Sequence, residues 1–360
     1  MDQPIPAPTA RSLVLTADEG LLDDLLRLAA VAGAEIDVAP DPVAARPRWH
    51  AAPLVVVGDD QAEAAAAQLG RHRHVVLIAR DDPDVWRRGV GLGAEQVVFL
   101  PDSEQWLVER FADAAEGTSR EATVVAVVGG RGGAGASVLA TGLAMTSARR
   151  KLSTMLIDLD PFGGGIDLLL GAEDCSGLRW PDFAQTRGRL AAATLRDELP
   201  ERHGCTVLSW DRGSVSTVPA AAVHAVITAA TRSCDVVVLD LPRRVDEATE
   251  EALSLCTCAL LVVTADVRAV AAAARVALPL TSMTPDVQVV VRGPSPSGLG
   301  AAEVFDALGL PVAAEMNSEP RLQERLERGE PPCRNGRGEI ADTCEQLLDD
   351  LLTSRQVWAA

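Results

Sequence analysis

The chain reads as two successive α/β units, each a doubly wound parallel sheet, and three observations predict this. Short apolar runs alternate with segments of helical period along most of the length. A glycine-rich stretch joins one apolar run to an alanine-rich helical segment at residues 124–137. Two later apolar runs end in aspartate, at Asp158 and at Asp240.

In the first unit, residues 13–16 form a strand, 20–32 a helix, and 35–38 and 54–57 two further strands. A helix, a strand at 75–79, another helix, a strand at 96–100 and a helix at 103–115 complete it. Order and spacing resemble the receiver (CheY-like) domains of two-component signalling, but the residues that carry receiver chemistry are replaced. The aspartate that ends the third strand in that family matches Gly58, with Asp59 and Asp60 just beyond. Its lysine before the proline after the fifth strand matches Leu100, and its hydroxyl at the end of the fourth strand matches Ala79. Asp18 and Glu19 stand where an acidic metal pair would be, or form a solvated turn. The unit is expected to be a pseudo-receiver, a packing or docking module that takes no phosphoryl group.

Residues 117–122 read as a polar linker. Beyond them, residues 124–128 form an apolar strand that enters Gly129, Gly130, Arg131, Gly132, Gly133, Ala134 and Gly135, and a helix opens near Ser137. Glycines let the backbone turn tightly with its N–H groups aimed inward, and a helix N-terminus adds unpaired donors, so this loop is shaped for phosphate. The phosphate-loop pattern GxxxxGK[ST] aligns Gly130 and Gly135 with its glycines and Ser137 with its hydroxyl, but puts lysine where this chain has Ala136. The chain has a single lysine, Lys151, among 33 basic residues. Drift from lysine to arginine therefore does not explain alanine at 136. Lys151 follows the helix and lies on the order of 20 Å from the loop.

Asp158 and Asp160 end one strand in DLDPFGGG, and Asp240 ends another in DLP. In a parallel sheet these carboxyl ends converge on the ligand, and acids beside a phosphate site imply a cation. Together the motifs resemble the MinD/ParA class of deviant Walker-A ATPases over 123 to about 332, a P-loop NTPase-like parallel-sheet domain. The family loop KGGxGK[ST] corresponds to residues 131–137. The resemblance implies a nucleotide site of Gly130, Arg131, Gly132, Gly133, Ala134, Gly135, Ala136, Ser137 and Arg292, the last standing where an adenine-contacting asparagine is usual. It also implies ATP or ADP with Mg2+ held by Ser137, Asp160 and Asp240, and Asp158 as the residue that orients water. Arg131 matches the lysine that crosses a dimer interface to the partner's phosphates; the alternative is a solvated loop arginine. Ser137 is otherwise a helix N-cap, and Asp158 otherwise a strand-end carboxylate that takes backbone N–H groups. Met316 and Asn317 depart from the family's closing segment.

A receiver-like domain joined to a degenerate ATPase resembles the CpaE/TadZ layout. GGRGGAGAS, GLRWPDFA and VVRGPSPSGL are most similar to the actinobacterial CpaE-like, septum-site-determining group. The expected function is a spatial regulator of septum placement or of pilus and secretion apparatus, with weak or no ATP hydrolysis. The alternative is a slow ATPase switch that uses Arg131 in place of lysine. A remoter alternative is a dinucleotide-binding oxidoreductase, since Gly130, Gly132 and Gly135 also fit GxGxxG and Asp158 follows at about 20 residues.

A net charge of −18 argues against broad contact with nucleic acid or anionic lipid. No apolar stretch approaches membrane-spanning length, so a cytoplasmic protein is expected. The seven cysteines form no CxxC pair, and Cys256 and Cys258 read as buried thiols on a strand. Arg243 and Arg244 read as an exposed pair, the alternative being that they face a partner or nucleotide, and Trp180 as a loop residue packed on the core, with partner docking as the alternative. Four segments result: 1–116 receiver-like, 117–122 linker, 123–335 MinD/ParA-like, and 336–360 an acidic amphipathic helix. That helix carries Glu339, Asp342, Glu345, Asp349 and Asp350, so it is expected to pack on protein and to form no direct membrane anchor. Expected partners are proteins of the division or pilus and secretion machinery, with a homodimer possible.

Overall fold

A computed structural model describes residues 11–72, 74–80, 85–115, 122–186, 188–213, 217–294 and 298–358, with side chains to 353 in the last helix. The sequence-predicted linker lies almost wholly outside the described residues. The chain divides into two compact units, Met1–Arg120 and Glu121–Ala360.

The first unit runs β1 (Ser12–Leu15), α1 (Glu19–Val31), β2 (Ile36–Ala39), α2 (Pro42–Trp49), β3 (Val55–Gly58), α3 (Ala62–Gln68), β4 (Val75–Ala79), α4 (Val85–Leu92), β5 (Gln96–Phe99) and α5 (Glu104–Ala115). Its strands are parallel in the order β2-β1-β3-β4-β5, the CheY-like order. Alternate strand residues face opposite layers. Leu13, Val55 and Leu77 pack with Trp49 of α2, while Val14, Val56 and Ile78 pack with Leu25 of α1 and Phe111 of α5. Helix α2 was not expected from the sequence, because Pro47 and two arginines, Arg46 and Arg48, obscure its period. It starts where a local cap allows: Asp41 accepts from the Ala44 N–H at 2.8 Å, and Pro42 occupies the first turn.

The second unit continues with β6 (Thr123–Gly129), α6 (Ala136–Arg149), β7 (Thr154–Asp158), α7 (Ile166–Leu170), α8 (Trp180–Phe183), α9 (Ala192–Glu198), β8 (Glu201–Arg202), β9 (Cys205–Leu208) and α10 (Ala220–Ser233). Then come β10 (Val236–Leu241), α11 (Glu247–Ser254), β11 (Cys258–Thr264), α12 (Val267–Met283), β12 (Val287–Gly293), α13 (Ala301–Leu308), β13 (Val312–Asn317), α14 (Leu322–Leu326) and α15 (Glu339–Trp358). Its sheet has the order β13-β12-β11-β6-β10-β7-β9-β8, parallel except for the β8–β9 pair. Val125 and Val127 face a layer containing Leu139 of α6 and Leu347 of α15; Val124, Ala126 and Val128 face α10 and α12 through Val223, Val226 and Ala273.

This order overturns the oxidoreductase alternative. In a dinucleotide-binding fold the glycine-loop strand lies beside the next strand in sequence. Here β10 is inserted between β6 and β7, which places the aspartates at the ends of β10 and β7 side by side.

Cys256 just precedes β11 and does not lie on it; it and Cys258 are buried, and burial pushes both thiols far up. Among the described residues no group of three His, Cys, Asp or Glu side chains is placed to hold a metal by itself. Nor is any described helix long and apolar enough to cross a membrane.

Candidate functional site

At the carboxyl end of β6 the loop turns back on itself and feeds α6. The Gly130 N–H is spent on the Val262 carbonyl at 2.8 Å, which ties the loop to β11. Gly135, at φ +102°, is the N-cap of α6, and no side chain caps the helix. The first-turn N–H groups of α6 are therefore available to an anion. Ser137 lies inside the helix, so its reading as an N-cap is incorrect: the left-handed turn at Gly135 starts the helix earlier than a hydroxyl cap would. Its side chain instead contacts the Asp240 carboxylate and stabilises the charged form.

Asp240 and Asp158 are register partners on neighbouring strands, and both are buried. Burial, together with the charge of Asp240, pushes Asp158 up to about 8. Burial first, with the charge of Asp160, raises Asp240 to about 7 against the opposing pull of Ser137. The Asp158 carboxylate accepts from the backbone N–H of Asp160 at 3.0 Å and of Ile166 at 3.1 Å. Its carbonyl accepts from the Trp180 indole N–H, and Trp180 is fully buried between Phe183 and Trp210. Asp158 thus braces the turn between β7 and α7. Asp160 is half-buried and accepts from the Phe162 N–H at 3.1 Å within the same turn. Next along the chain, Asp167 is held by Arg212 through contacts of 3.0 and 3.1 Å, a pair the sequence did not announce.

The three arginines near the loop have different engagements. Arg131 donates through Nε to the Thr264 hydroxyl at 2.7 Å and pairs with Asp266 at 3.2 Å, so it is held by its own chain. It remains exposed all the same, with its side chain 46% accessible. Arg292, at the end of β12, donates to the carbonyls of Gly133 and Ala134 at 3.0 and 3.2 Å and lies against Gly135. It buttresses the phosphate loop through these carbonyls. Arg243, two residues beyond β10, approaches Gly132, where a Cβ would meet its Nη2 at 3.7 Å. It is exposed, as the sequence led one to expect, and its position directly after an acid-ended strand also brings it to the loop.

These groups line one cleft of about 640 Å3 that contains the loop residues 131–137, Asp158, Asp160, Asp240, Arg243 and Arg292. Its donors suit a phosphate-borne cation better than a protein-only metal cage. Ser137 and Asp240 touch, Asp160 is nearby, and Mg2+ takes most of its ligands from phosphate and water. The other acidic cluster raised from the sequence is local structure: Asp18 caps α1 by accepting from the Leu21 N–H at 2.9 Å.

Fold and site define a class by architecture, a CheY-like unit followed by a phosphate-loop unit of MinD/ParA-like fold, with Ala136 where the loop pattern places lysine. The family model described as "Rv3660c-like, CheY-like N-terminal domain" matches residues 15–122. The uncharacterized protein Rv3660c of Mycobacterium tuberculosis H37Rv is 42% identical over 322 residues, 88% of this chain and 91% of that protein. The chain belongs to this Rv3660c-like family. The second unit shares its fold with a ParA family ATPase from Chlorobium tepidum TLS (TM-score 0.58, 17% identity, 64% of this chain and 99% of that one). It is also similar to MinD in the MinC:MinD cell division complex of Aquifex aeolicus (0.53, 22%, 63% and 96%). A third neighbour is the septum site-determining protein MinD complexed with Mg-ADP from Pyrococcus horikoshii OT3 (0.51, 16%, 64% and 96%).

Proposed function

We propose that the protein is a spatial regulator of the septum-site-determining, CpaE-like kind, acting in placement of the division septum or of a pilus or secretion apparatus. In this reading its second unit binds ATP or ADP with Mg2+ and hydrolyses ATP weakly or not at all. The observation that carries it is the combination at one loop: the helix N-terminus and its N–H groups are open to phosphate, while Ala136 supplies no cation to the developing charge of phosphoryl transfer. Asp158 also favours a structural role, since its carboxylate is engaged by two backbone N–H groups.

Ser137 and Asp240, with Asp160, are the residues that would hold magnesium. Bound together with nucleotide, such an ion would neutralise phosphate charge. The likeness to a MinD found with a protein partner and to one found with Mg-ADP favours a surface that docks proteins, with nucleotide as its ligand. The slow-switch alternative, with Arg131 replacing lysine, is disfavoured by the engagement of Arg131 with Thr264 and Asp266. Self-association, if present, should then depend little on ATP.

Calorimetric titration of the full chain with ADP and ATP, with and without Mg2+, tests binding. Steady-state phosphate release beside an Asp158→Ala, Asp240→Ala double variant tests turnover. Saturable binding with equal background release from both proteins is expected. A magnesium-dependent rate lost in the double variant would make the protein an enzyme and overturn the regulator reading.

A further inference from the structure

The cleft contains buried acids and a loop without its lysine, so a polyphosphate there needs a cation from elsewhere. Two of the three nearby arginines are already committed, Arg131 to Thr264 and Asp266, Arg292 to the carbonyls of Gly133 and Ala134. Arg243 is exposed, lines the same cleft and has no hydrogen bond or ion pair among the described residues. Its Cζ would stand 4.0 Å from a Cβ on Gly132, so no side chain intervenes between the guanidinium and that side of the loop.

We propose that Arg243 is the phosphate-binding cation of this site and replaces the missing loop lysine, with a nucleoside triphosphate as the ligand class. The inference rests on the nucleotide-binding reading above and deepens it. A phosphate chain anchored on the first-turn N–H groups of α6 and running toward Gly132 brings its terminal phosphate to Arg243. A guanidinium binds phosphate bidentately, and its planar fork does not need the lysine's place at the start of the helix. The cation then belongs to the β10 side of the cleft, immediately after Asp240. One segment thus carries both the carboxylate beside Ser137 and the positive charge for the last phosphate.

The test is calorimetric titration of the full chain with ATP and ADP in Mg2+, using wild type, Arg243→Ala, Arg243→Gln and the neighbouring Arg244→Ala. Loss of one charge-assisted contact predicts about tenfold or more weaker ATP binding for both Arg243 variants. ADP binding should weaken by less than about threefold, and Arg244→Ala should match wild type. Because the Arg243 side chain makes no hydrogen bond or ion pair among the described residues, its variants should melt with wild type. ATP affinity within twofold of wild type in both Arg243 variants would overturn the assignment while leaving nucleotide binding intact. An equal loss in Arg244→Ala would also overturn it, by showing a diffuse charge effect. Absence of nucleotide binding in the wild type would overturn the parent reading and this one together.

Discussion

The two units each carry a small residue, Gly58 and Ala136, where the patterns they resemble place an aspartate and a lysine, and they differ in what surrounds that position. In the first, the space beyond Gly58 is filled by the chain itself: a Cβ at that position would lie 2.3 Å from Asp60 Oδ1 and 2.8 Å from Thr16 Oγ1. Asp60 is fixed there, accepting from the Thr16 hydroxyl at 2.8 Å and the Ala17 N–H at 2.7 Å. Leu100, in the lysine position, is buried in the core. In the second unit the lysine is gone, but the cleft stays open and its buried acids keep raised pKa values. The first position is closed by its own hydrogen bonds, whereas the second is left open with its acids buried, and it is there that the proposed ligand would bind.

The largest test of this contrast is Trp180→Ala. The side chain is fully buried and holds the Asp158 carbonyl, so truncation should cost about 3–5 kcal/mol. Hydrogen-exchange mass spectrometry should show faster exchange in β7 and the Asp158–Ile166 turn, with peptides of β1–β5 unchanged. Equal loosening of both units would break the separation.

A smaller effect is expected from restoring the receiver aspartate. Gly58→Asp overpacks the Thr16–Asp60 contact and should cost about 1–3 kcal/mol, read as a lower melting temperature. Neither this variant nor wild type should gain mass with acetyl phosphate. A base-labile gain of one phosphate, by intact-mass spectrometry, would show that the first site is still built for chemistry.

The smallest effect is one of pH, and it has opposite signs in the two units. Asp158 and Asp240 titrate near 8 and 7 against about 3.9 when unfolded, so the native second unit binds more protons than the unfolded chain between those values. Its stability should fall by about 1 kcal/mol or more per pH unit between pH 6 and 7.5, and Asp240→Asn should flatten that slope. In the first unit, burial lowers His72, so the native state binds fewer protons and stability rises with pH up to about 6.5. Exchange protection in each unit, corrected for intrinsic pH dependence, reads both slopes. A second-unit slope that survives Asp240→Asn unchanged would remove the strained-acid account.

The loop, the acid-ended strands and the receiver-like order were legible in the sequence because each is a local pattern of glycine, acid or apolar period. The engagements were not. Arg131 meets Thr264 across 133 positions and Arg292 meets Gly133 across 159, distances over which spacing carries no signal. Only the N-cap alternative for Ser137 fails, and for a local reason, since Gly135 starts the helix through a left-handed turn that needs no hydroxyl. The acids of the C-terminal helix predicted packing on protein, and the structure supplies the surface: Arg149 and Arg150 of α6 take Glu345, and Arg150 takes Asp349 at 2.7 Å.

That last contact gives α6 a mechanical role. The helix begins at the phosphate loop and runs 14 residues, a rod of about 21 Å, to the arginines that grip α15. Midway, Gly142 leaves no room for a methyl group: a Cβ there would meet Cys344 Sγ at 2.9 Å and Cys333 Sγ at 3.1 Å. Two helices meshed at the middle and clamped at one end resist sliding past each other, so a displacement at the loop would be expected to carry α15 with it. A spectroscopic probe near the C-terminus would therefore act as a remote gauge of events at the phosphate loop, read without touching the cleft.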